Sequence, residues 1–187
     1  VLRRHAAKAE GTGSRGSGGM FEAAILVVFP CLVAFAAASD LFTMKIPNSV
    51  SLMLIGGFAI IAPFAGIGLA DIGWHLLAAG LALAACLVFF GFGWMGGGDA
   101  KLITALALWF GMTQDFMQFL ALAGIYGAVL TLLIVGFRRI VLLPGIAGRT
   151  QWLLRLHDTS RGVPYGVTLA IAALHVYPQS AWFRLLV

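Results

Sequence analysis

The sequence predicts an all-α fold, a polytopic membrane helix bundle. Three observations carry this: 61% of residues are hydrophobic and only 10% charged, the mean hydropathy is +0.99, and the apolar residues come in near-continuous runs. An ordinary soluble domain is about a quarter charged and about half apolar. The runs neither alternate nor keep to one helical stripe, as expected of helices surrounded by lipid and by other helices. At 187 residues there is room for one bundle of about six short-looped spans of about 20 residues each, and for no sizeable soluble domain beside it.

Residues Val1 to Gly19 differ from the rest of the chain: they are polar, carry Arg3, Arg4, Lys8 and Arg15, and end in a Gly/Ser stretch before Met20. They read as a disordered leader or an added segment, with Met20 as the natural start and residues 20–187 as one membrane-embedded domain. A cleaved secretory signal is disfavoured because further spans follow the first apolar run. From Met20 the expected spans are Phe21 to Ala38, Ser49 to Ala65, Ile72 to Phe92, Lys101 to Met112, Phe116 to Phe137 and Pro164 to Tyr177.

The fourth and sixth are short. A run of about twelve residues covers only about 18 Å of a roughly 30 Å hydrocarbon core. The fourth can cross only if the Gly96-Gly97-Gly98 turn before it lies at membrane depth, buried in protein or lining a wet cavity. Basic residues favour crossing. If it crosses, Lys45, Lys101, Arg138, Arg139, Arg149, Arg155 and Arg161 share one side and Arg184 lies opposite; the side rich in Lys and Arg is the cytoplasmic one.

The net charge of +5 is explained by this loop asymmetry and lipid headgroups, and nucleic-acid binding is not indicated. The long segment Arg138 to Gly162 is either an interfacial helix, with Trp152, Leu153 and Leu156 on one face and Arg149 and Arg155 reaching headgroups, or a solvated basic loop. Cys31 and Cys86 lie separately inside apolar runs, so neither a disulfide framework nor a zinc site is indicated, and no cofactor is implied. No internal repeat of the transporter kind is present.

The acids are Glu10, Glu22, Asp40, Asp71, Asp99, Asp115 and Asp158. Glu10 falls in the leader, and Asp158 reads as a solvated partner of the loop arginines. Glu22, Asp71 and Asp115 sit at expected helix starts, where a carboxylate meets unpaired N–H groups and the positive end of the dipole. Asp40 directly follows the first span and Asp99 directly precedes the fourth. Helix capping would explain either by position, but ionisable groups at such depth usually face a cavity or a partner and often carry function. Three successive glycines before Asp99 suit a place where backbone bends or another chain approaches closely.

Two carboxylates that share a proton can hydrolyse a peptide with neither metal nor covalent nucleophile. Like charge keeps one protonated and one ionised. The ionised acid takes a proton from attacking water, and the protonated one donates to the carbonyl oxygen. No serine–histidine or cysteine–histidine arrangement competes: His75 and His175 lie inside apolar spans, His157 in the basic loop and His5 in the leader.

Asp40-Leu41-Phe42-Thr43-Met44-Lys45-Ile46-Pro47-Asn48, then Gly96-Gly97-Gly98-Asp99-Ala100-Lys101, then Pro164-Tyr165-Gly166, each at a span boundary, together resemble the type IV prepilin peptidase family. The short length and Leu108-Trp109-Phe110-Gly111 look most like the small members that process pilins of tight-adherence (Flp-type) pili. The resemblance implies an aspartic peptidase of the bacterial inner membrane, active at its cytoplasmic face, that removes a short leader from prepilins or pseudopilins by cutting after a glycine. It carries the family's catalytic acids onto Asp40 and Asp99.

Larger members add a zinc-cysteine domain and methylate the new amino terminus; this chain has no four-cysteine set, so peptidase activity alone is expected. Membrane lipid and pilus assembly machinery are the implied partners. Gly96, Gly97 and Gly98 are expected to shape the site. Pro47 fixes the exit from the first loop, Asn48 caps the second helix, Pro164 suits the first turn of the last helix, and Gly166 permits close helix approach. Lys101 either biases the ionisation of Asp99 or contacts headgroups. Two other functions use the same acids: a G-x-G-D intramembrane protease of ordinary transmembrane helices, and an ion-coupled transporter subunit with a proton relay.

Overall fold

The computed structural model describes residues 14–139, 151–159 and 162–184, with side chains from residue 26 onward. The helices are α1 (Ser14–Thr43), α2 (Asn48–Phe64), α3 (Leu69–Gly91), α4 (Gly97–Phe110), α5 (Gln114–Arg138), α6 (Gln151–His157), α7 (Tyr165–Val176) and, after a 3-10 turn at Tyr177–Gln179, α8 (Ala181–Arg184). The protein is an all-helical membrane bundle. Leu26–Thr43 within α1, α3 and α5 are each long and apolar enough to cross a membrane, and α2 is a shorter apolar helix.

The short helices are at the centre. α4 packs against α2, α3 and α7, while α1 and α5 pack against α7. In α4, Leu102, Ile103 and every residue from Ala105 to Phe110 are buried; in α7, Leu169, Ala170, Ala172, Ala173 and Val176 are buried. By contrast α3 buries only Ala78, Ala82 and Cys86 and turns its large apolar residues outward, as a lipid-facing helix does.

Fourteen residues of α4 rise only about 21 Å, and its last carbonyls, left without partners inside the helix, need donors from elsewhere. The structure supplies four donors in succession. The Gly111 N–H donates to Ala107 O at 2.9 Å, His75 Nδ1–H to Leu108 O at 2.7 Å, Trp182 Nε1–H to Trp109 O at 2.6 Å and Thr113 Oγ1–H to Phe110 O at 2.9 Å. Gly111 itself has φ +65°, a conformation that closes the helix without Cβ strain. Trp109, fully buried, donates from Nε1 to Leu54 O of α2 at 2.9 Å and packs at tilted and edge-on angles among Phe29, Phe58 and Trp182.

These contacts sort the helix ends into two groups. The residues after α1, the start of α4, the end of α5, α6 and the start of α7 meet at one end: Arg155 Nη1 donates to Phe42 O at 3.1 Å, Trp152 meets Phe42 edge-on, and Lys101 Nζ donates to Asn48 Oδ1 at 2.9 Å. At the other end, α8 folds over the end of α4, and Arg184 pairs with Asp115 at 3.7 Å. α4 therefore runs from one end of the bundle to the other.

Several boundaries move. α1 includes residues 14–19 of the expected leader and continues to Thr43, so Asp40 lies within the helix rather than after it. Glu22 is then far from the first turn and is not a helix-start acid; its side chain lies outside the described residues. Asp71 and Asp115 do occupy first turns. α4 starts at Gly97 instead of Lys101, and the second and third glycines belong to it. Pro47, not Asn48, is the N-cap residue of α2, and Pro164 is that of α7. Residues 1–13, Arg149 and Arg161 lie outside the described residues.

Candidate active site

Asp40 ends a buried stripe on α1. Phe29, Val33 and Ala36 are each 0% exposed and Asp40 is 6% exposed, at spacings of four, three and four that keep one helical face turned inward. A buried carboxylate needs hydrogen-bond donors, and α7 provides one: the Gly166 N–H donates to Asp40 Oδ2 at 2.7 Å. This N–H belongs to the first turn of α7, where it has no partner within its own helix and carries the positive end of the dipole. A Cβ on Gly166 would lie 2.8 Å from Asp40 Oδ2 and 2.7 Å from Ile46 Cδ1, so only glycine lets the two chains come this close.

Asp99 stands at the third position of α4 and accepts from the backbone N–H of Gly96. Reaching back from the third helical residue to the N-cap N–H is half of a capping box. The capping explanation for Asp99 is thus correct in part, and it fixes the carboxyl over the mouth of the glycine turn. A Cβ on Gly96 would come within 3.1 Å of Asp99 Oδ2. Gly98 lies against the loop after α1, with its missing Cβ 3.3 Å from Ile46 Cβ, while that of Gly97 would be 3.4 Å from the Phe90 ring.

Asp40 and Asp99 line the same cavity, about 800 Å³ in volume. Its wall takes Met44 from the loop after α1, Phe89 to Gly96 in part from the end of α3, Ile103 from α4, Thr131 from α5 and Tyr165 and Leu169 from α7. Met44 holds φ 55°, rare for a residue with a side chain; its N–H donates to Asp40 O at 2.8 Å and turns the chain sharply beside the acid. The rim is tied down by Arg138, which donates from Nε to Leu156 O at 2.9 Å and from Nη2 to Gly162 O at 3.0 Å.

Of the residues singled out in the sequence, Asp40, Asp99 and Gly96 line the cavity. Gly97 and Gly98 pack just behind it. Lys101, Pro47 and Asn48 do not line it. The Lys101–Asn48 hydrogen bond ties the start of α4 to the start of α2, and Asn48 gives no side-chain cap to α2. Trp152 packs on Phe42 and Arg155 on the end of α1, so α6 is a helix seated on the bundle. Sequence reasoning overlooked Gly166 as the donor to Asp40, and Thr131 and Tyr165 as wall residues. A signal for Gly166 was present: a glycine two residues past a helix-starting proline offers a free N–H with nothing beside it.

The three histidines with described side chains stand apart from the two acids. His75 caps α4, His175 Nδ1 is 3.0 Å from Tyr126 Oη, and His157 stacks edge-on with Phe137. Among the described residues no group of three or more His, Cys, Asp or Glu side chains could hold a metal ion. What this arrangement offers chemically is two carboxyls, one buried and one half-buried, each positioned by a backbone N–H in a largely apolar cavity.

The chain is similar to one known family: a model of the type IV leader peptidase family matches residues 27–132, more than half of the sequence. No curated protein and no solved structure gave a match.

Proposed function

The chain belongs to the type IV leader peptidase family, and from that premise we propose that it is a prepilin peptidase whose catalytic groups are Asp40 and Asp99. The observation that supports this most strongly is the placement of both carboxyls on one cavity, the first from α1 and the second from α4. The pair divides the work of hydrolysis. The ionised member accepts a proton from water as the oxygen attacks the scissile carbonyl, and the protonated member donates to the carbonyl oxygen as it becomes tetrahedral. Collapse of that intermediate returns a proton to the departing amine. The largely apolar wall of the site strengthens each interaction.

The substrates in this reading are prepilins or pseudopilins of the Flp type, cut at the cytoplasmic face of the bacterial inner membrane. The basic segments support that orientation: Lys45, Lys101, Arg138, Arg139 and Arg155 all lie at the Asp40–Asp99 end of the bundle, as the positive-inside rule requires. Peptidase activity without methylation fits a sequence with only two cysteines.

The test is co-expression with a leader-bearing Flp-type pilin, and separately with an unrelated single-span membrane protein. Loss of the leader, seen as a gel shift and located by mass spectrometry after a glycine, is the expected result. Mid-span cleavage of the second protein with the pilin left intact would instead make this chain a general intramembrane protease.

A further inference from the structure

A second cavity, about 570 Å³ in volume, lies at the end of the bundle opposite Asp40 and Asp99. Pockets of roughly 300–1,000 Å³ are the size that holds small ligands. α3 lines it with Asp71, Trp74 and His75, the turn after α4 with Thr113, and α8 with Trp182. Asp71, Trp74 and His75 stand three and four residues apart, so one side of α3 presents them together. Three donors of this wall are already used: His75 Nδ1–H, Thr113 Oγ1–H and Trp182 Nε1–H each go to a carbonyl of α4. What remains is acceptors and rings, namely the Asp71 carboxylate, the second nitrogen of a neutral His75, the Thr113 oxygen and the two indoles. Asp71 forms no ion pair among the described residues. Trp74 Nε1–H is the one side-chain donor of this wall left over.

We propose that this cavity binds the headgroup of a membrane phospholipid that ends in a primary ammonium, in the leaflet opposite the two acids. The site is independent of the peptidase reading. An acceptor-rich wall with an unpaired carboxylate suits a cation, and indole faces attract one through the ring quadrupole. The acceptors favour an ammonium with N–H groups over a trimethylated one, which has none to donate. The surface below the cavity favours a lipid over a soluble amine. Trp74, Leu77, Leu81 and Val88 follow one another along one side of α3 and are 57%, 45%, 53% and 56% exposed. An acyl chain on that stripe leads up to the cavity, where Trp74 is both wall and lipid-facing surface. The Trp74 N–H is then a donor for the phosphate of the same lipid. Since His75 and Trp182 also close α4, the bound headgroup rests against the far end of the helix that carries Asp99.

The experiment is native mass spectrometry of the full chain in detergent, titrated separately with dioleoyl phosphatidylethanolamine, phosphatidylcholine and phosphatidylglycerol. Phosphatidylethanolamine should bind about tenfold more tightly than either of the others, the scale of one charge-assisted hydrogen bond. Asp71→Asn should abolish that preference, while Asp71→Glu, which keeps the charge, should retain it. Asp115→Asn, at the acid that pairs with Arg184, should also leave it in place. Trp74→Leu should weaken phosphatidylethanolamine binding about threefold through the lost ring. Asp71 is exposed, so its variants should fold, and melting temperatures equal to the parent's verify this. Equal affinities for the three lipids, a preference that survives Asp71→Asn, or one lost equally in Asp115→Asn would overturn the site. Displacement of the bound lipid by free ethanolamine at the lipid's own concentration would also overturn it, because the cavity would then be a soluble-amine site.

Discussion

Gly166 shows how much of this site depends on atoms that are missing. Its N–H holds Asp40, and any Cβ there would press on the same carboxyl at 2.8 Å. Gly166→Ala is therefore expected to lower kcat/KM about a hundredfold, the scale on which a displacement of about 1 Å acts, and to cost about 1–3 kcal/mol in stability through overpacking. Gly96→Ala meets only the carboxyl end of the Asp99 side chain, so activity should fall while thermal stability holds. Gly97→Ala touches the Phe90 ring at ordinary distance and should be tolerated in both respects. Rates of leader removal and detergent melting curves for the three variants check this order; equal effects at all three would refute it. The carboxyls were visible in the sequence because charges are rare in apolar runs. Their partners were not, because a backbone N–H has no letter of its own, and glycine reports an empty space without saying what fills it.

At the scale of elements, the end of α4 explains how a helix too short to span a bilayer stands at the core of this one. His75, Trp182 and Thr113 close its last carbonyls from three separate parts of the chain. Trp182→Phe keeps most of the ring but removes the donor to Trp109 O. Orphaning a buried carbonyl costs about 1–3 kcal/mol, and that drop, read from reversible unfolding in detergent, is the expected result; unchanged stability would contradict the capping role. The sequence indicated that the segment was short and that its crossing needed help. It located the help at the Gly96-Gly97-Gly98 start, where the glycine turn does line a cavity. The help at the far end stayed hidden because His75 and Trp182 lie 33 and 73 residues away from their acceptors. The buried stripe of α1 was hidden for a different reason: a lipid-facing side is as apolar as a core-facing one, and only Asp40 distinguishes the two.

Taken as a whole, the molecule is a sheath of long lipid-facing helices around two short buried ones, with an acid-bearing end and a tryptophan-capped end. Its topology makes a direct prediction. Cysteines replacing the exposed Lys45 and Thr159 should react with a membrane-impermeant maleimide from one side of the membrane, and a cysteine replacing Leu69, 89% exposed, from the other. Thr159 labelled together with Leu69 would mean that α4 does not cross. The claim that the two carboxyls act as one unit is tested most directly by a double-mutant comparison. Asp40→Asn, Asp99→Asn and the double variant are assayed against a cleavable Flp-type precursor, with folding checked by melting temperature. If the acids are two halves of one catalyst, each single variant loses as much activity as the double, because residues that act together are strongly non-additive. A single variant that retains substantial cleavage, with the double variant losing the product of the two separate effects, would contradict it.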